Sequence, residues 1–220
     1  MNVSYNFPLV LTSFLVALLA SYTAMHLASR VAVARGRISS LLWLGGGALS
    51  MGTGIWSMHF IGMLGSSIGM PMVFGPWRTL LSLLIAVIVS GMALQLVSRQ
   101  ALSRRSLAVG GAVMGAGIVS MHYVGMMAME ISPPIQFKPG LVALSVLIAA
   151  VASYIALSMF AALRSPDIER PMFKRGASAV VMAVAISGMH YTGMAAAQFA
   201  PDSICTVPGG GDISNAWLAG

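Results

Sequence analysis

The amino-acid sequence predicts an all-α membrane protein, a polytopic bundle of six transmembrane helices, and its composition is the first observation behind this prediction. Of the 220 residues, 58% are hydrophobic and only 8% are charged, and the mean hydropathy is +0.88. Soluble domains carry about 25% charged residues, so this chain has too few charges to cover a soluble surface. We therefore expect the lipid bilayer to surround most of the protein.

The second observation is a series of six apolar runs that contain few charges. Each run is long enough to cross roughly 30 Å of hydrocarbon when every residue of a helix contributes about 1.5 Å. Backbone polar groups in lipid must bond within the spanning structure, and the runs lack the alternating pattern of membrane β-strands, so helices are predicted. The runs comprise residues 8–33, 39–64, 77–98, 106–130, 139–163 and 173–199.

The third observation is the distribution of the positive charges over the connections. Ten of the twelve Lys and Arg residues lie in or beside alternate connections, whereas Arg78 and Lys138 lie in the others. Cytoplasmic loops are enriched in Lys and Arg, so the connections around residues 35, 104 and 168 are predicted to be cytoplasmic. The N-terminus and the connections around residues 69, 136 and 208 are then extracytoplasmic. The net charge of +7 thus reflects topology rather than nucleic-acid binding.

An internal repeat divides the chain into three helical hairpins. The even-numbered runs share the line Met-His-x-x-Gly-Met, and small residues, mostly Gly and Ser, precede it. Small residues let membrane helices approach closely, so we predict that the second, fourth and sixth helices are inner helices in mutual contact. The shared lines lie within residues 52–63, 115–126 and 186–194, and the odd-numbered runs repeat more faintly at residues 20–25, 89–94 and 152–157.

The repeated line places an imidazole and a thioether on one face of each helix. His59 and Met63 are four residues apart, which separates them by about 40° around the helix. All three copies lie at matching depth near the outer helix ends, so their histidines can converge. The predicted metal ligands are His59, His122, His190, Met63, Met126 and Met194. The methionines that directly precede the histidines are rotated by about 100° and rank second; they are Met58, Met121 and Met189.

The ligand types favour copper, in the Cu(I) state. Imidazole accepts zinc, copper, iron and nickel, whereas thioether sulfur is a soft donor that selects Cu(I). All four histidines follow a methionine, which is more than 18 methionines among 220 residues would produce by composition. Three alternatives stay open. The histidines could have a hydrogen-bonded packing role, an all-imidazole site would suit zinc equally, and a haem with axial histidine ranks lowest because small-residue helices leave little room for it.

Three further residues are candidates for a role at or near the site, and the fourth histidine is not. His26 lies near the inner end of the first helix, roughly 20 Å in depth from the other histidines, and is excluded. Glu130 would continue the face of His122 by two turns, either as a solvated interfacial acid or as a group through which a proton or metal ion enters. Asp202 and Cys205 could cap the site from outside, and Cys205 is the single cysteine and forms no internal disulfide.

The lines at residues 121–123 and 189–191 read Met-His-Tyr, and Thr192 completes the last one. They resemble the MHYT domain, a bacterial integral-membrane sensory module, over essentially the whole chain. Phe60 departs from the pattern, which leaves tyrosine chemistry in doubt at the first copy. The family has seven helices, so we expect residues 1–220 to be a single domain that stops where a seventh helix begins, near Trp217.

The resemblance also implies a location and a function. MHYT domains lie in the bacterial inner membrane, are proposed to bind copper and to sense oxygen, carbon monoxide or nitric oxide, and often precede cytoplasmic diguanylate cyclase or phosphodiesterase domains. The string Gly-Gly-Gly-Asp at residues 209–212 is not the cyclase signature, because Ile213 follows it in an extracytoplasmic segment. No phosphate-binding glycine loop or Ser-His-acid set is visible, so no enzyme is predicted.

The leading functional prediction is a sensory input domain. A Cu(I) site with an open position would bind a diatomic gas or change its redox state, and the inner helices would repack in response. The alternative is a protein that stores, handles or transports copper. Transport favours ligands staggered over several depths, and in the inner half of the helices we identify only Met25, His26 and Met92 as donors, which favours sensing or storage.

Overall fold

The six predicted helices are present in a computed structural model that describes residues 4–34, 36–67, 72–99, 102–163, 171–201 and 203–205. All six are long and apolar enough to cross a membrane, which confirms the predicted all-α bundle of a multi-pass membrane protein. The helices are α1 Phe7–Val33, α2 Arg37–Leu64, α3 Pro76–Val97, α4 Arg104–Met126, α5 Pro139–Leu163 and α6 Pro171–Ala196. Asp202, the glycine string, the expected seventh helix and the connections around residues 35, 69, 168 and 208 lie outside the described residues.

The helix starts follow from local capping chemistry. Helices α3 and α5 begin at Pro76 and Pro139, where a residue without a backbone N–H leaves no helical hydrogen bond unmade. The side chain of Asn6 accepts a hydrogen bond from the backbone N–H of Leu9 at 3.3 Å and so caps α1. Ser103 caps α4 in the same way. These caps explain why the helices begin one or two residues before several of the apolar runs.

Helix α4 ends earlier than the apolar run predicted. The run extends to residue 130, whereas the helix ends at Met126. Beyond it the chain turns to meet the segment before α3: Phe74 and Met129 form a β-bridge, and the N–H of Glu130 donates to the carbonyl of Val73 at 3.0 Å. The prediction that Glu130 continues the helical face of His122 is therefore wrong, because backbone pairing with this segment replaces the last helical turn.

The helices form a closed ring in chain order, in which α6 returns to pack against α1. The predicted mutual contact of α2, α4 and α6 is only partly correct, since each packs chiefly against its odd-numbered neighbours. The glycines explain the difference. A Cβ at Gly52 would lie 2.6 Å from the Cα of Val87 in α3, and one at Gly115 would lie 2.8 Å from the Cα of Ala150 in α5. Glycine thus brings even helices close to odd ones, and the even helices meet mainly through side chains.

In the described part of the chain, three two-residue ribbons, which the sequence patterns did not predict, join segments at one end of the bundle. This end, where the even helices finish, is called the motif end, and the opposite end, which carries Arg37 and Arg104, is called the basic end. Each ribbon is antiparallel and links segments that are distant in the chain. The pairs are Ser4–Tyr5 with Ser66–Ser67, Ile131–Ser132 with Ile204–Cys205, and Gln136–Phe137 with Ala197–Gln198.

Candidate metal centre

Three histidines from three different helices meet inside the bundle. His59 of α2, His122 of α4 and His190 of α6 are at most 1% exposed. The Nδ1 atom of His59 lies 3.0 Å from Nδ1 of His190 and 3.2 Å from Nδ1 of His122. The rings cross at 69° to 88°, with centroids 4.8 to 5.3 Å apart. The sequence predicted that these histidines converge because they lie at equal depth on the even helices. The structure confirms that they lie close together.

Each imidazole points its other nitrogen, Nε2, at the motif glycine of a neighbouring helix. A Cβ added to any of these glycines would collide with that nitrogen. The three contacts form a cycle from α2 to α4, from α4 to α6, and from α6 back to α2. The pairs are His59 with Gly125, His122 with Gly193, and His190 with Gly62. The motif glycine therefore provides the space for the next ring, a role that its constant position three residues after each histidine could have revealed.

Hydrogen bonding within this histidine layer is incomplete. Each neutral imidazole has one N–H donor and one acceptor nitrogen. All three Nε2 atoms are buried and have no hydrogen-bond partner among the residues the structure describes. The single Nδ1 of His59 faces two other Nδ1 atoms and cannot both donate and accept. A buried polar atom without a partner costs about 1–3 kcal/mol, so three imidazoles are costly to collect here.

The ring nitrogens are well placed for a metal ion. Candidate ligand atoms of the three histidines all lie within 4.8 Å of one another. Three nitrogens about 2 Å from a common ion in one plane would be about 3.5 Å apart, so a small outward movement of the rings would accommodate the ion. Three Nδ1 lone pairs could then point at the ion, with the proton of each ring on Nε2, which faces glycine and has no hydrogen-bond partner among the described residues.

The methionines of the motif lie on both sides of the histidine layer. Met63 and Met126 are fully buried and Met194 is 4% exposed, and all three pack in one apolar cluster with Phe60 and Phe74 at the motif end. The methionines before the histidines are also buried, and two of them, Met121 and Met189, line a cavity on the side of the basic end. Both predicted sets are therefore close to the layer in sequence and inside the bundle.

The cavity contains methionines that the sequence patterns had not singled out. It has a volume of about 40 Å³, and Met51, Met114 and Met182 line it. Each of them precedes a motif histidine by eight residues, which corresponds to about 12 Å along the helix axis. They lie near the middle of their helices, between the histidine layer and the inner half, for which Met25, His26 and Met92 were the predicted donors. The identical spacing in all three copies was the available signal.

Motif tyrosines bond to serines of the odd helices. The hydroxyl of Tyr123 lies 2.8 Å from Oγ of Ser145, and the hydroxyl of Tyr191 lies 2.8 Å from Oγ of Ser13. Both serines donate their own hydrogen to a carbonyl three residues earlier in their helix, so the tyrosine hydroxyls act as donors. These bonds connect α4 to α5 and α6 to α1 beside the histidine layer.

The first copy makes the equivalent bond with a different residue. Phe60 stands where the other copies have tyrosine and has no hydroxyl. Instead, the indole N–H of Trp56, one turn earlier in α2, donates to Oγ of Ser82 in α3 at 3.0 Å. Ser82 donates to the carbonyl of Thr79, as the other two serines do to theirs. A polar bond from each even helix to an odd helix of a neighbouring hairpin is thus present in all three copies, although tyrosine is present in only two.

The other candidate residues lie apart from this centre. Among the described residues, the three motif histidines are the only His, Cys, Asp or Glu side chains that lie close enough together to hold a metal ion. His26 is exposed on α1, where its ring packs edge-on against Tyr22. Glu130 lies at the motif end with a carboxylate oxygen against Gly75, at the start of α3. Cys205 is a free, half-buried cysteine in the last ribbon.

Comparison with known proteins shows similarity to a family of bacterial signalling proteins. The sequence profile MHYT, described as "Bacterial signalling protein N terminal repeat", matches residues 1–40, 52–110, 115–168 and 184–210. The chain is 50% identical over 216 residues to the bifunctional diguanylate cyclase/cyclic di-GMP phosphodiesterase MucR of Pseudomonas aeruginosa, which covers 98% of the chain and 31% of MucR. No solved structure shows significant similarity.

Two further relatives match over a similar part of their length. The signalling protein YkoW of Bacillus subtilis is 41% identical over 91% of the chain and 25% of its own length. The cyclic di-GMP phosphodiesterase NbdA of Pseudomonas aeruginosa is 36% identical over 89% of the chain and 25% of its own length. The chain thus spans between a quarter and a third of the relatives it matches.

Proposed function

This chain belongs to the MHYT family of bacterial signalling proteins, and from that premise we propose that it is a membrane-embedded sensory domain built around a copper ion. The observation that carries the proposal is the group of three buried histidines whose Nδ1 atoms face one another at 3.0 and 3.2 Å. Ionisable side chains within membrane helices are rare and mark functional sites. The domain would sense oxygen, carbon monoxide or nitric oxide, or a change of redox state.

The donors around the histidine layer suit Cu(I). Three imidazoles accept several transition metals, but the thioethers of Met63, Met126 and Met194, one helical turn towards the motif end, select the soft monovalent ion. A monovalent ion is also less costly than a divalent ion in a site without carboxylates inside an apolar bundle. Held by few ligands, such an ion supplies an open coordination position at which a diatomic gas can bind. The protein supplies the rigid cage that keeps this position free.

The cycle of histidine and glycine contacts offers a way to pass the signal on. A shift of one ring changes its contact with the glycine of the next helix, so the positions of α2, α4 and α6 depend on one another. A sensor needs two packings that differ by only a few kcal/mol, and the occupied and free states of the centre would select between them. The helices then carry the difference to the basic end.

The output is proposed from the relatives. MucR and NbdA are named as enzymes of cyclic di-GMP metabolism, whereas the similarity covers only 31% and 25% of their lengths. We place this chain as the non-catalytic input of such a protein, with a diguanylate cyclase or phosphodiesterase domain that follows it or acts as a separate partner. The basic end would then face the cytoplasm, with the motif end and the N-terminus outside the inner membrane.

The orientation can be tested by labelling single cysteines in intact cells. Cys205→Ser provides the background, and one cysteine is introduced at Arg104 at the basic end or at Gln136 in a motif-end ribbon. An impermeant thiol reagent is expected to modify position 136 and to leave position 104 unmodified until the cells are lysed. Modification of position 104 in intact cells would invert the topology and contradict the proposed output.

Copper content tests the centre itself. We expect the purified protein to contain copper and His122→Ala to lose the equivalent bound by the histidine layer, whereas the control His26→Ala, an exposed residue of α1, keeps it. Carbon monoxide is the gas probe: the infrared band of a copper carbonyl should appear in the wild type and the control and be missing in His122→Ala. Undiminished copper in His122→Ala would refute the proposed site. Zinc in place of copper in the purified protein would refute the assignment of the metal as copper.

A copper-handling protein remains the second candidate, because one specific observation favours it. Met51, Met114 and Met182 add soft donors about 12 Å below the histidine layer, so ligands do exist at more than one depth. Transport predicts uptake of Cu(I) into proteoliposomes that contain the protein. Sensing predicts binding without uptake, so a flux measurement separates the two functions.

A further inference from the structure

The odd helices carry a second level of serines below those that bond to the motif aromatic residues. Eight residues separate the two serines of each helix, which corresponds to about 12 Å. The lower serines are at most 2% exposed. The hydroxyls of two of them, Ser21 and Ser153, have no hydrogen-bond partner in the described part of the chain. The upper serines are Ser13, Ser82 and Ser145, and the lower ones are Ser21, Ser90 and Ser153.

The even helices place methionines at the same depth. Met51, Met114 and Met182 precede their motif histidines by eight residues, and even and odd helices run in opposite directions, so the lower serines and these methionines form one layer. All three methionines are 4% or 5% exposed. Together with Ser90 and Ser153 they line the cavity of about 40 Å³. We call this set the methionine–serine layer.

The same methionines continue a stripe that leads up to the histidine layer. Met114 and Met121 are seven residues apart and therefore lie about 20° apart on α4, and Met182 and Met189 have the same relation on α6. All four line the cavity. Soft sulfur donors thus occur both in the methionine–serine layer and beside the histidines, on the lining of one cavity.

The chemistry of the layer argues against packing alone. Methionine is flexible and fills irregular gaps in cores, yet five methionines surround a space that they leave open. A core packed for stability would also have no use for hydroxyls that lack partners, since buried polar groups are costly and those inside membranes usually mark function. The unpartnered hydroxyl of Ser153 faces this space from α5.

We propose that the methionine–serine layer is a second metal site, which binds a soft monovalent cation such as Cu(I) or Ag(I) through the thioethers of Met51, Met114 and Met182. Thioethers are neutral, soft donors that prefer Cu(I) to zinc or to hard cations. Among the described residues, the cavity lining includes no carboxylate or imidazole, so a divalent ion would meet no compensating charge there. The hydroxyls of Ser90 and Ser153 can complete the ligand set. This site is separate from the histidine layer and does not depend on it.

The test counts metal ions in the full chain carrying Cys205→Ser, because the free thiol would itself bind Ag(I). The protein is purified in detergent and titrated with Ag(I), which has no redox chemistry under these conditions, and it is expected to bind two Ag(I) ions. Replacing Met51, Met114 and Met182 together by Leu keeps their volume and removes the sulfur, so one ion should be lost. The control is Met25→Leu, because Met25 belongs to the same buried cluster but does not line the cavity, and both ions should remain.

A single substitution guards against misfolding of the triple variant. Met114→Leu alone should weaken the affinity of one Ag(I) ion by about tenfold or more and leave the other unchanged, a loss of the size seen when the environment of a metal is disturbed. X-ray absorption of the Cu(I)-loaded protein should show a sulfur shell that shrinks in Met114→Leu and not in Met25→Leu. Two ions retained with unchanged affinity in Met114→Leu would overturn the inference.

The same titration separates this inference from the proposed function. One ion that His122→Ala removes and the methionine variants do not would overturn the second site and leave the histidine centre standing. One ion that the methionine variants remove and His122→Ala does not would do the opposite. Two ions, each lost with its own set of substitutions, would support both.

Discussion

The histidine layer and the methionine–serine layer come from the same three hairpins, about 12 Å apart, and yet they are built differently. In the histidine layer the rings pack directly against the neighbouring helices, so that a Cβ at the motif glycines would collide with them. In the methionine–serine layer a cavity of about 40 Å³ remains between flexible side chains. One layer is rigid and closed, whereas the other can adapt to an occupant. The repeat therefore determines the depth of the donor side chains, and the size and flexibility of those side chains determine how closely each layer is packed.

The largest expected effect comes from adding a methyl group to the closed layer. Gly193→Ala places a Cβ against Nε2 of His122, and overpacking of this kind typically costs about 1–3 kcal/mol. The matched control is Gly188→Ala in the same helix, where nothing lies within 4 Å and the better helix former should be neutral or slightly stabilising. Thermal unfolding in detergent and metal content are the measurements. Equal behaviour of the two variants would mean that the histidine layer is not closely packed.

The next effect concerns the sulfur donors on either side of the histidines. Met126 lies about 40° from His122 around the helix, whereas Met121 lies about 100° away and faces the cavity. Met126→Leu should therefore weaken Cu(I) retention at the histidine layer by about tenfold, and Met121→Leu should weaken it less. A competition titration with a Cu(I) chelator measures both. Equal losses would make both methionines ligands, and no loss from either would leave an all-imidazole site that suits zinc.

The smallest effect compares the three copies of the polar bond to the odd helices. Tyr123→Phe removes the bond to Ser145, and side-chain hydrogen bonds in membrane proteins average about 0.6 kcal/mol. Trp56→Phe removes the bond to Ser82 and should cost more, since the smaller ring also leaves a gap. Unfolding in a denaturing detergent measures both losses.

The first copy also permits a rescue experiment. The double variant Trp56→Phe with Phe60→Tyr gives this copy the tyrosine of the other two, and the new hydroxyl should bond to Ser82 and recover part of the lost stability. Phe60→Tyr alone is the control. If the double variant is no more stable than Trp56→Phe, the first hairpin is not equivalent to the others in its packing.

The sequence predicted the features that depend on position along a helix. Hydropathy and charge identified the six spans, and the repeated line placed His59, His122 and His190 at one depth, where the structure brings them together. These predictions succeed because helix rise and rotation are nearly constant. The assignment of methionine ligands rests on the same geometry and stays a prediction.

Features that depend on which helices or segments contact one another could not be predicted from a single sequence. In a membrane, the residues that face lipid and those that face protein are equally apolar, so hydropathy does not distinguish an odd from an even neighbour for Gly52 or Gly115. The end of α4 at Met126 depends on pairing between Glu130 and Val73, which are far apart in sequence. The methionines at the cavity were different, because their regular spacing is visible in the sequence and implies their shared depth.

The cycle of histidine and glycine contacts has a handedness, because each ring presses on the next helix in the same sense around the bundle. If the three Nδ1 atoms move apart around an ion, each ring pushes on the backbone of the following helix and, through its own side chain, pushes the helix that carries it the opposite way. The three even helices would then rotate together in the same sense. A small radial change at the centre would thus become a rotation, a motion that helices can deliver at the far side of a bilayer without changing their length.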